Sequence, residues 1–509
     1  MYRFLISLFT ILQISFGVNA QGKRPNIILL TMDDLKPMLG AYGDNYIKTP
    51  NIDKLASEAL VFDNAYVQQA VCAVSRTCVY SGQRPDRTKV WDLKTDARTV
   101  NPSVITVFQF FKNHGYETAG LGKLLHGFKD EDPISWTIPY VHKEHMIYAD
   151  GYDYPANGRY QGEKVQKEYK AAKKLKMGWK KTNKYLKSRG ALPPTECLDV
   201  PDNAYVDGAT ADGGIKLLDK LSKENKPFFL ALGFSKPHLP FVAPKKYWDL
   251  YNREDMKVAP YQKHSEDSPS YAYHTWGELR AYSGIPQKGP VPYEQQKELI
   301  HGYHASVSYV DAQVGRVLDH VKELGLEDNT IIILWGDHGW HLGDHGLWAK
   351  HSNFEQATKI PFIIYAPDAV KGQRVPTMVE GVDIYPTLVD YAGFDIPKKL
   401  EGKSLVPLLK NPALENKDYA LSQYPRGKNV MGYSIRDNRY RLTIWLKGEF
   451  HKKASFENPE YVGEELYDYA VDPLETKSVA HKKEYAEVEK KLKSKLLELL
   501  KEQKETYGY

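Results

Sequence analysis

Five mostly apolar runs of the chain show no alternation: Asn26–Thr31, Glu117–Leu121, Pro227–Gly233, Thr330–Trp335 and Pro361–Tyr365. A strand with one face in water alternates apolar and polar residues, whereas a strand buried on both faces does not. Strands of the second kind belong to parallel sheets covered by helices. Helical stretches separate the runs, which predicts an α/β fold with a doubly wound, mostly parallel sheet flanked by helices. In such sheets sites form beyond the carboxyl ends of the strands. Four of the five runs carry candidate chemistry there: Asp33-Asp34, Gly122-Lys123, Lys236-Pro237-His238 and Asp337-His338.

Asp33, Asp34 and Asp337 would bring three carboxylates together from two strand ends. Converging carboxylates repel unless a cation neutralises them, and oxygen ligands of this kind suit Ca²⁺ or Mg²⁺. A turn after a strand would account for Asp33-Asp34 alone; Asp337-His338 at the end of a second strand favours a site. Cys72 precedes Ala73-Val74-Ser75-Arg76 and Ser81-Gly82-Gln83-Arg84-Pro85. The stretch reads as a cysteine at a helix start with an arginine one turn on, a placement that faces an anion. The five residues alone also fit a buried cysteine that happens to precede Ser-Arg.

Taken together, these motifs resemble the sulfatases of the alkaline phosphatase superfamily. The run Gly339-Trp340-His341-Leu342-Gly343-Asp344-His345-Gly346-Leu347-Trp348-Ala349-Lys350-His351-Ser352-Asn353-Phe354-Glu355 is similar to the iduronate 2-sulfatase subfamily. The resemblance spans Arg24 to Asp472 and is weakest between Gly127 and Asp199. It implies that Cys72 is oxidised by a formylglycine-generating machinery to the nucleophile, and that one Ca²⁺ is held by Asp33, Asp34, Asp337, His338 and the modified Cys72. His338 stands where many sulfatases carry Asn. By resemblance Asp337 activates the nucleophile, Arg76 steadies the metal site, and Lys123 holds a sulfate oxygen and the nucleophile. His126 is the base that releases sulfate, and His238 and Lys350 grip the sulfate and protonate the leaving oxygen. His341, His345 and His351 line the pocket or support the loop. Val74 departs from the family motif, which usually has Pro or Ala at the position read by the converting machinery.

A chain of 509 residues with 42% hydrophobic content has ample core for one large domain plus a smaller one. The net charge of +5 does not argue for nucleic acid. Residues 1–20 read as a secretory signal, with Arg3, an apolar run from Phe4 to Phe16 and Val18-Asn19-Ala20 as cleavage site. No other stretch reads as a membrane span, so the expectation is a periplasmic or secreted protein. The Asn101-Pro102-Ser103 triplet is disabled for glycosylation by its proline. With Cys72 consumed, only Cys78 and Cys197 remain to pair, and the sequence leaves that open.

Between Glu163 and Arg189 lie eleven Lys/Arg against two Glu. A solvated helical face accounts for this, as does a lobe that attracts a polyanionic sugar chain. The expected division is a catalytic domain over 21–400 and a C-terminal subdomain over 401–509. In the latter, Tyr433–Arg436 and Tyr440–Leu446 read as strands of a small antiparallel sheet. Tyr467-Asp468-Tyr469 and Asp472-Pro473-Leu474-Glu475 resemble the C-terminal stretch of sulfatases. The tail reads as a helix with Tyr485, Val488, Leu492, Leu496 and Leu499 on one stripe.

Three functions are consistent with these residues. The first is a sulfatase acting on a sulfated oligo- or polysaccharide, removing a 2-O-sulfate from a terminal uronic acid. The second is a phosphatase or phosphodiesterase on the same fold; Cys72 with Arg76 and the single Asp-Asp pair argue against it. The third is a non-catalytic glycan-binding protein with Cys72 unconverted.

Overall fold

The computed structural model describes residues 24–508, apart from 275–276, 453–454 and 458–459. The signal sequence read over 1–20 lies outside the described residues. Among the described residues the thirteen strands, in chain order, are β1 (Asn26–Asp33), β2 (Leu60–Tyr66), β3 (Glu117–Gly122), β4 (Thr195–Leu198), β5 (Phe228–Pro237), β6 (Phe241–Pro244), β7 (Thr330–Gly336), β8 (Phe362–Tyr365), β9 (Gln373–Glu380), β10 (Ala420–Arg426), β11 (Val430–Arg436), β12 (Tyr440–Lys447) and β13 (Glu460–Asp468).

Seven of them form the central sheet in the order β3-β5-β1-β7-β8-β2-β9. The five strands read from the sequence, β1, β3, β5, β7 and β8, are buried on both faces, which is why they lack alternation. In β1, Ile28, Leu30 and Met32 enter one core and Ile27 and Leu29 the other. Leu230 and Leu232 of β5 share the first core, Phe229 and Ala231 the second. The register pairs Ile28 with Leu230 on one side and with Ile332 on the other. Helices Val206–Leu221 and Tyr293–Glu323 cover the first face, and Cys72–Ser81 and Ile384–Tyr391 the second.

The sheet is mostly parallel, as expected, with one reversed strand. β8 runs antiparallel to both β7 and β2, while β2 and β9 are parallel. Double-sided burial reports the covering layers, not the strand direction, so the apolar run of β8 did not reveal its reversal. β2 and β9 were not among the expected strands. β2 carries half-buried Asp63 and Asn64, and β9 is a polar edge strand interrupted by Pro376.

β10 to β13 form a separate antiparallel sheet in sequence order. The helix Ala486–Tyr507 lays Leu492, Leu496 and Leu500 against Met431, Tyr433, Ile435, Leu442, Ile444 and Leu466. Leu500 takes the place expected of Leu499, which packs only partly buried at the margin. Arg441 of β12 joins this sheet to the larger layer by its ion pair with Glu355 and its hydrogen bond to the Asn353 carbonyl. Cys78 is buried and Cys197 exposed, and neither is in a disulfide. The lysine-rich stretch folds as two helices, Glu163–Lys174 and Trp179–Ser188, that bury Val165, Ala172, Thr182 and Leu186. Among the described residues no helix is long and apolar enough to cross a membrane.

Candidate active site

β3, β5, β1 and β7 are adjacent and parallel, so their carboxyl ends open side by side. Asp33 ends β1, Lys123 follows β3, Lys236-Pro237 close β5 with His238 next, and Asp337-His338 follow β7. Gly122 lets β3 finish against β5: its φ is +85°, and a Cβ there would lie 2.0 Å from the Gly233 carbonyl oxygen. Asp34 also turns through the left-handed region, at φ +60°. That turn sends its N–H to Asp337 Oδ1 at 3.0 Å.

Cys72 is the first residue of the helix Cys72–Ser81 and is 2% exposed. Its Sγ lies 3.2 Å from His338 Nε2. His338 Nδ1 donates to the Gly339 carbonyl at 2.9 Å, leaving Nε2 as the atom with the lone pair. That Nε2 is 3.4 Å from Asp34 Oδ1 and 3.7 Å from Asp337 Oδ1. Arg76, one helical turn beyond Cys72, is fully buried and donates from Nε to Asp337 Oδ2 at 2.8 Å. Its Nη2 is 3.9 Å from Asp33 Oδ1, and it also donates to the Lys123 and Leu124 carbonyls. Lys123 pairs with Asp33 Oδ2.

Lys350 donates to both oxygens of Asp34, at 3.1 and 3.2 Å, and lies 3.0 Å from Glu278 Oε2. His238 Nε2 is 3.3 Å from Glu278 Oε1 and 3.9 Å from Asp34 Oδ2. Asp33, Lys123, His238 and His126 line one cavity, and His126 Nδ1 has no hydrogen bond among the described residues. The sequence-expected residues thus meet in one place. Glu278, which touches Lys350 and His238 and faces His351 at 3.7 Å, was missed. It lies in an irregular loop between 3₁₀ turns, where neither periodicity nor a motif marks it.

The electrostatics follow from burial. Burial alone would raise the Asp33 carboxyl, but Lys123, then His238 and Arg76, hold it well below the usual range. Asp34 is pushed well up by burial, with Asp33, Glu278 and Asp337 around it and Lys350 opposing. Burial and then Asp33 raise the Cys72 thiol. Burial and then Lys123 lower His126 to about 3, and burial, Lys123 and Lys350 hold His238 well below the ordinary imidazole range.

The donor set fits a divalent cation. Donor atoms of Asp33, Cys72, Asp337 and His338 lie within 4.8 Å of one another, as do those of Asp33, Asp34, Cys72 and His238. Asp33 is fully buried; Lys123 meets its Oδ2 as an ion pair, while its Oδ1 has no hydrogen-bond partner among the described residues. Carboxylates in this arrangement are hard oxygen ligands; the imidazole nitrogen of His338 is the softer member.

Of the other histidines, His341 Nε2 is 3.0 Å from Ser352 Oγ, and His345 Nε2 meets the Leu474 and Glu475 carbonyls at 3.1 and 3.2 Å. Both support the loop after β7. His351 Nδ1 meets Tyr424 Oη at 2.6 Å, which ties the C-terminal sheet to the site.

The chain matches the family model described as Sulfatase over residues 25–394, and that described as N-sulphoglucosamine sulphohydrolase, C-terminal, over residues 343–502. It is 33% identical to iduronate 2-sulfatase of Homo sapiens, over 90% of this chain and 91% of that protein. It is 31% identical to a sulfatase of Formosa agariphila, over 90% of this chain and 83% of that one. A solved 2-O GAG sulfatase superposes with a TM-score of 0.66 at 22% identity, over 95% of this chain and 94% of that one. Phosphonate monoester hydrolase of Agrobacterium radiobacter gives a TM-score of 0.70 at 22% identity, over 94% and 96%. At these identities the two structures share the fold.

Proposed function

The chain belongs to the sulfatase family and is a sulfuric ester hydrolase, and on that premise we propose that it removes the 2-O-sulfate of a terminal uronic acid from a sulfated glycan. The observation that carries this reading is the convergence of Asp33, Lys123, His238 and Asp337 from four adjacent strand ends around Cys72. The likeness to iduronate 2-sulfatase, and that of the fold to a 2-O GAG sulfatase, support the choice of linkage.

In this reading Cys72, converted to formylglycine, supplies the nucleophile at a helix N-terminus, where unpaired backbone N–H groups favour developing negative charge. Cys72 is 2% and Val74 0% exposed, so a converting enzyme must read the segment before the sheet closes over it. Asp33, Asp34, Asp337 and His338 would hold a Ca²⁺ ion. When bound, such an ion polarises sulfate oxygens and favours the anionic nucleophile. Arg76 keeps Asp337 and Asp33 in place through its buried guanidinium. Lys123 presents a cation to a sulfate oxygen from beside Asp33. Lys350 and His238, both held by Glu278, face the departing sugar oxygen, and the Lys350 ammonium donates the proton that it needs. His126, kept neutral, is the base for the release of sulfate.

The reading includes export by the signal over residues 1–20. Peptide mass spectrometry of the fragment Leu55–Arg76, from protein made with the maturation machinery, tests the nucleophile. Sulfate and phosphate esters assayed side by side test the reaction. Formylglycine at position 72 with turnover of sulfate esters is the expected result. An intact thiol with glycan retention and no turnover would replace it with a binding protein, and preference for phosphate esters would replace it with a phosphatase.

A further inference from the structure

Resting on that reading, we propose that Arg159, with Lys143 beside it, is the subsite that binds the carboxylate of the sugar whose sulfate is removed. The cations of the described site are otherwise engaged. Arg76 is taken by Asp337, Lys123 by Asp33, and Lys350 by Asp34 and Glu278. Lys236 donates to the carbonyls of His238 at 2.9 Å and Pro240 at 2.7 Å, so it holds its own loop.

Arg159 and Lys143 differ. Arg159 donates to the Tyr282 hydroxyl at 3.0 Å and forms no ion pair among the described residues. The Lys143 ammonium forms none either, and burial, then Arg159, then Lys123 push its pKa down. Both line the cavity of about 370 Å³ that also exposes Asp33, Lys123, His126 and His238. Two neighbouring half-buried cations, with no carboxylate at ion-pair distance among the described residues, repel each other and lose part of their hydration. An anion entering from the cavity relieves both costs.

The carboxylate is the anion that suits them. A guanidinium offers a planar fork that a carboxylate meets with two parallel hydrogen bonds. Gly158 keeps the pair close: at φ +71°, a Cβ there would come within 3.4 Å of Lys143 Nζ and 2.5 Å of Tyr154 Oη. Trp179, 66% exposed at the start of its helix, lines the same cavity and offers a ring face to a sugar. Lys143, Arg159 and Trp179 all fall in the stretch where the family resemblance is weakest. The subsite therefore distinguishes this chain's substrate rather than the shared chemistry.

The experiment compares kcat/KM for a methyl uronoside 2-sulfate and for its carboxyl-reduced analogue, with an aryl sulfate as reference. The wild-type protein is expected to prefer the uronoside by about 10- to 100-fold, the size of a charge-assisted contact. Arg159→Met brings that ratio towards one, mainly through KM, and Arg159→Lys keeps part of it. Titration of the unmatured protein with the same two compounds gives the same preference in affinity without a working nucleophile. If Arg159→Met does not fold, Lys143→Met and the wild-type ratio carry the test. Equal turnover of both uronoside forms by the wild type overturns the subsite alone. Turnover of the aryl sulfate with neither uronoside cleaved overturns the proposed substrate and the subsite together. A preference that appears only when the next sugar carries a second sulfate assigns the pair to that sulfate and overturns the carboxylate.

Discussion

The Glu278 carboxylate lies 3.0 Å from the Lys350 ammonium and 3.3 Å from His238 Nε2. One acid from an irregular loop therefore sets the position of both groups that face the leaving oxygen in the proposed reaction. Burial works against its charge, but Lys350, His351 and His238 hold it well below the usual carboxylate range. Glu278→Gln is expected to lower kcat by about 10- to 100-fold, as loss of an orienting partner does. Lys350→Ala, which removes a proposed proton donor, is expected to cost about 10²- to 10⁴-fold. Steady-state kinetics on one sulfate ester ranks the two; an unchanged kcat in Glu278→Gln would show that Lys350 and His238 need no such support.

Buried Asp33, whose Oδ1 has no hydrogen-bond partner among the described residues and whose neighbours Cys72, Asp337 and His338 offer further donor atoms, is suited to a cation. Ca²⁺ at 100 times its Kd is expected to stabilise the protein by about 2.7 kcal/mol. Thermal unfolding with Ca²⁺ and with chelator measures this as a rise in Tm. The rise is expected to vanish in Asp33→Asn/Asp337→Asn; its persistence there would place the ion elsewhere.

Arg441 is 1% exposed and crosses from β12 to Glu355, the Asn353 carbonyl and Thr358 Oγ1. Arg441→Met leaves Glu355 with Arg436 and strips Glu475 of its nearest guanidinium. Breaking a buried pair in this way costs about 3–5 kcal/mol. Denaturant unfolding is expected to show a loss of that order. A loss below about 1 kcal/mol would mean that Arg441 adds little to the hold on the C-terminal sheet, which its apolar contacts and the Arg436–Glu355 and His351–Tyr424 contacts then carry.

Glu465 is buried, and burial pushes its carboxyl up to about 7 from an ordinary 4.5, with Glu475 adding and Tyr467, Trp445 and Arg441 opposing. A raised acid binds its proton more tightly folded than unfolded. Its contribution is therefore fully present below pH 4.5 and is lost as pH rises towards about 7. Within that window the group takes away up to about 1.4 kcal/mol per pH unit. Glu465→Gln removes the slope, so its stability relative to wild type should climb from pH 4.5 to pH 7. Parallel curves for the two proteins would contradict the buried, protonated state.

The apolar runs of β1, β3, β5 and β7, and the acids, lysine and histidines at their ends, were legible because each is a local pattern. Double-sided burial leaves consecutive apolar residues, and polar residues follow where the strand leaves the core. Cys72 and Arg76 were legible for the same reason, being one helical turn apart. Glu278 and Arg159 sit in irregular segments and Lys143 opens the three-residue 3₁₀ turn Lys143–His145, where backbone geometry imposes no repeat on composition. The reversal of β8 was hidden too, since an apolar run reads the same in either direction.

By itself, then, the sequence determined which segments are buried on both faces and which chemistry ends them, because burial and strand geometry act on neighbouring residues. Tertiary structure alone decided that β3, β5, β1 and β7 lie side by side. It also decided that Glu278 reaches Lys350 and His238, and that Arg159 and Lys143 face the same cavity with no ion pair among the described residues. Those relations join residues far apart in the chain through packing and charge, which act across space and leave no spacing to read.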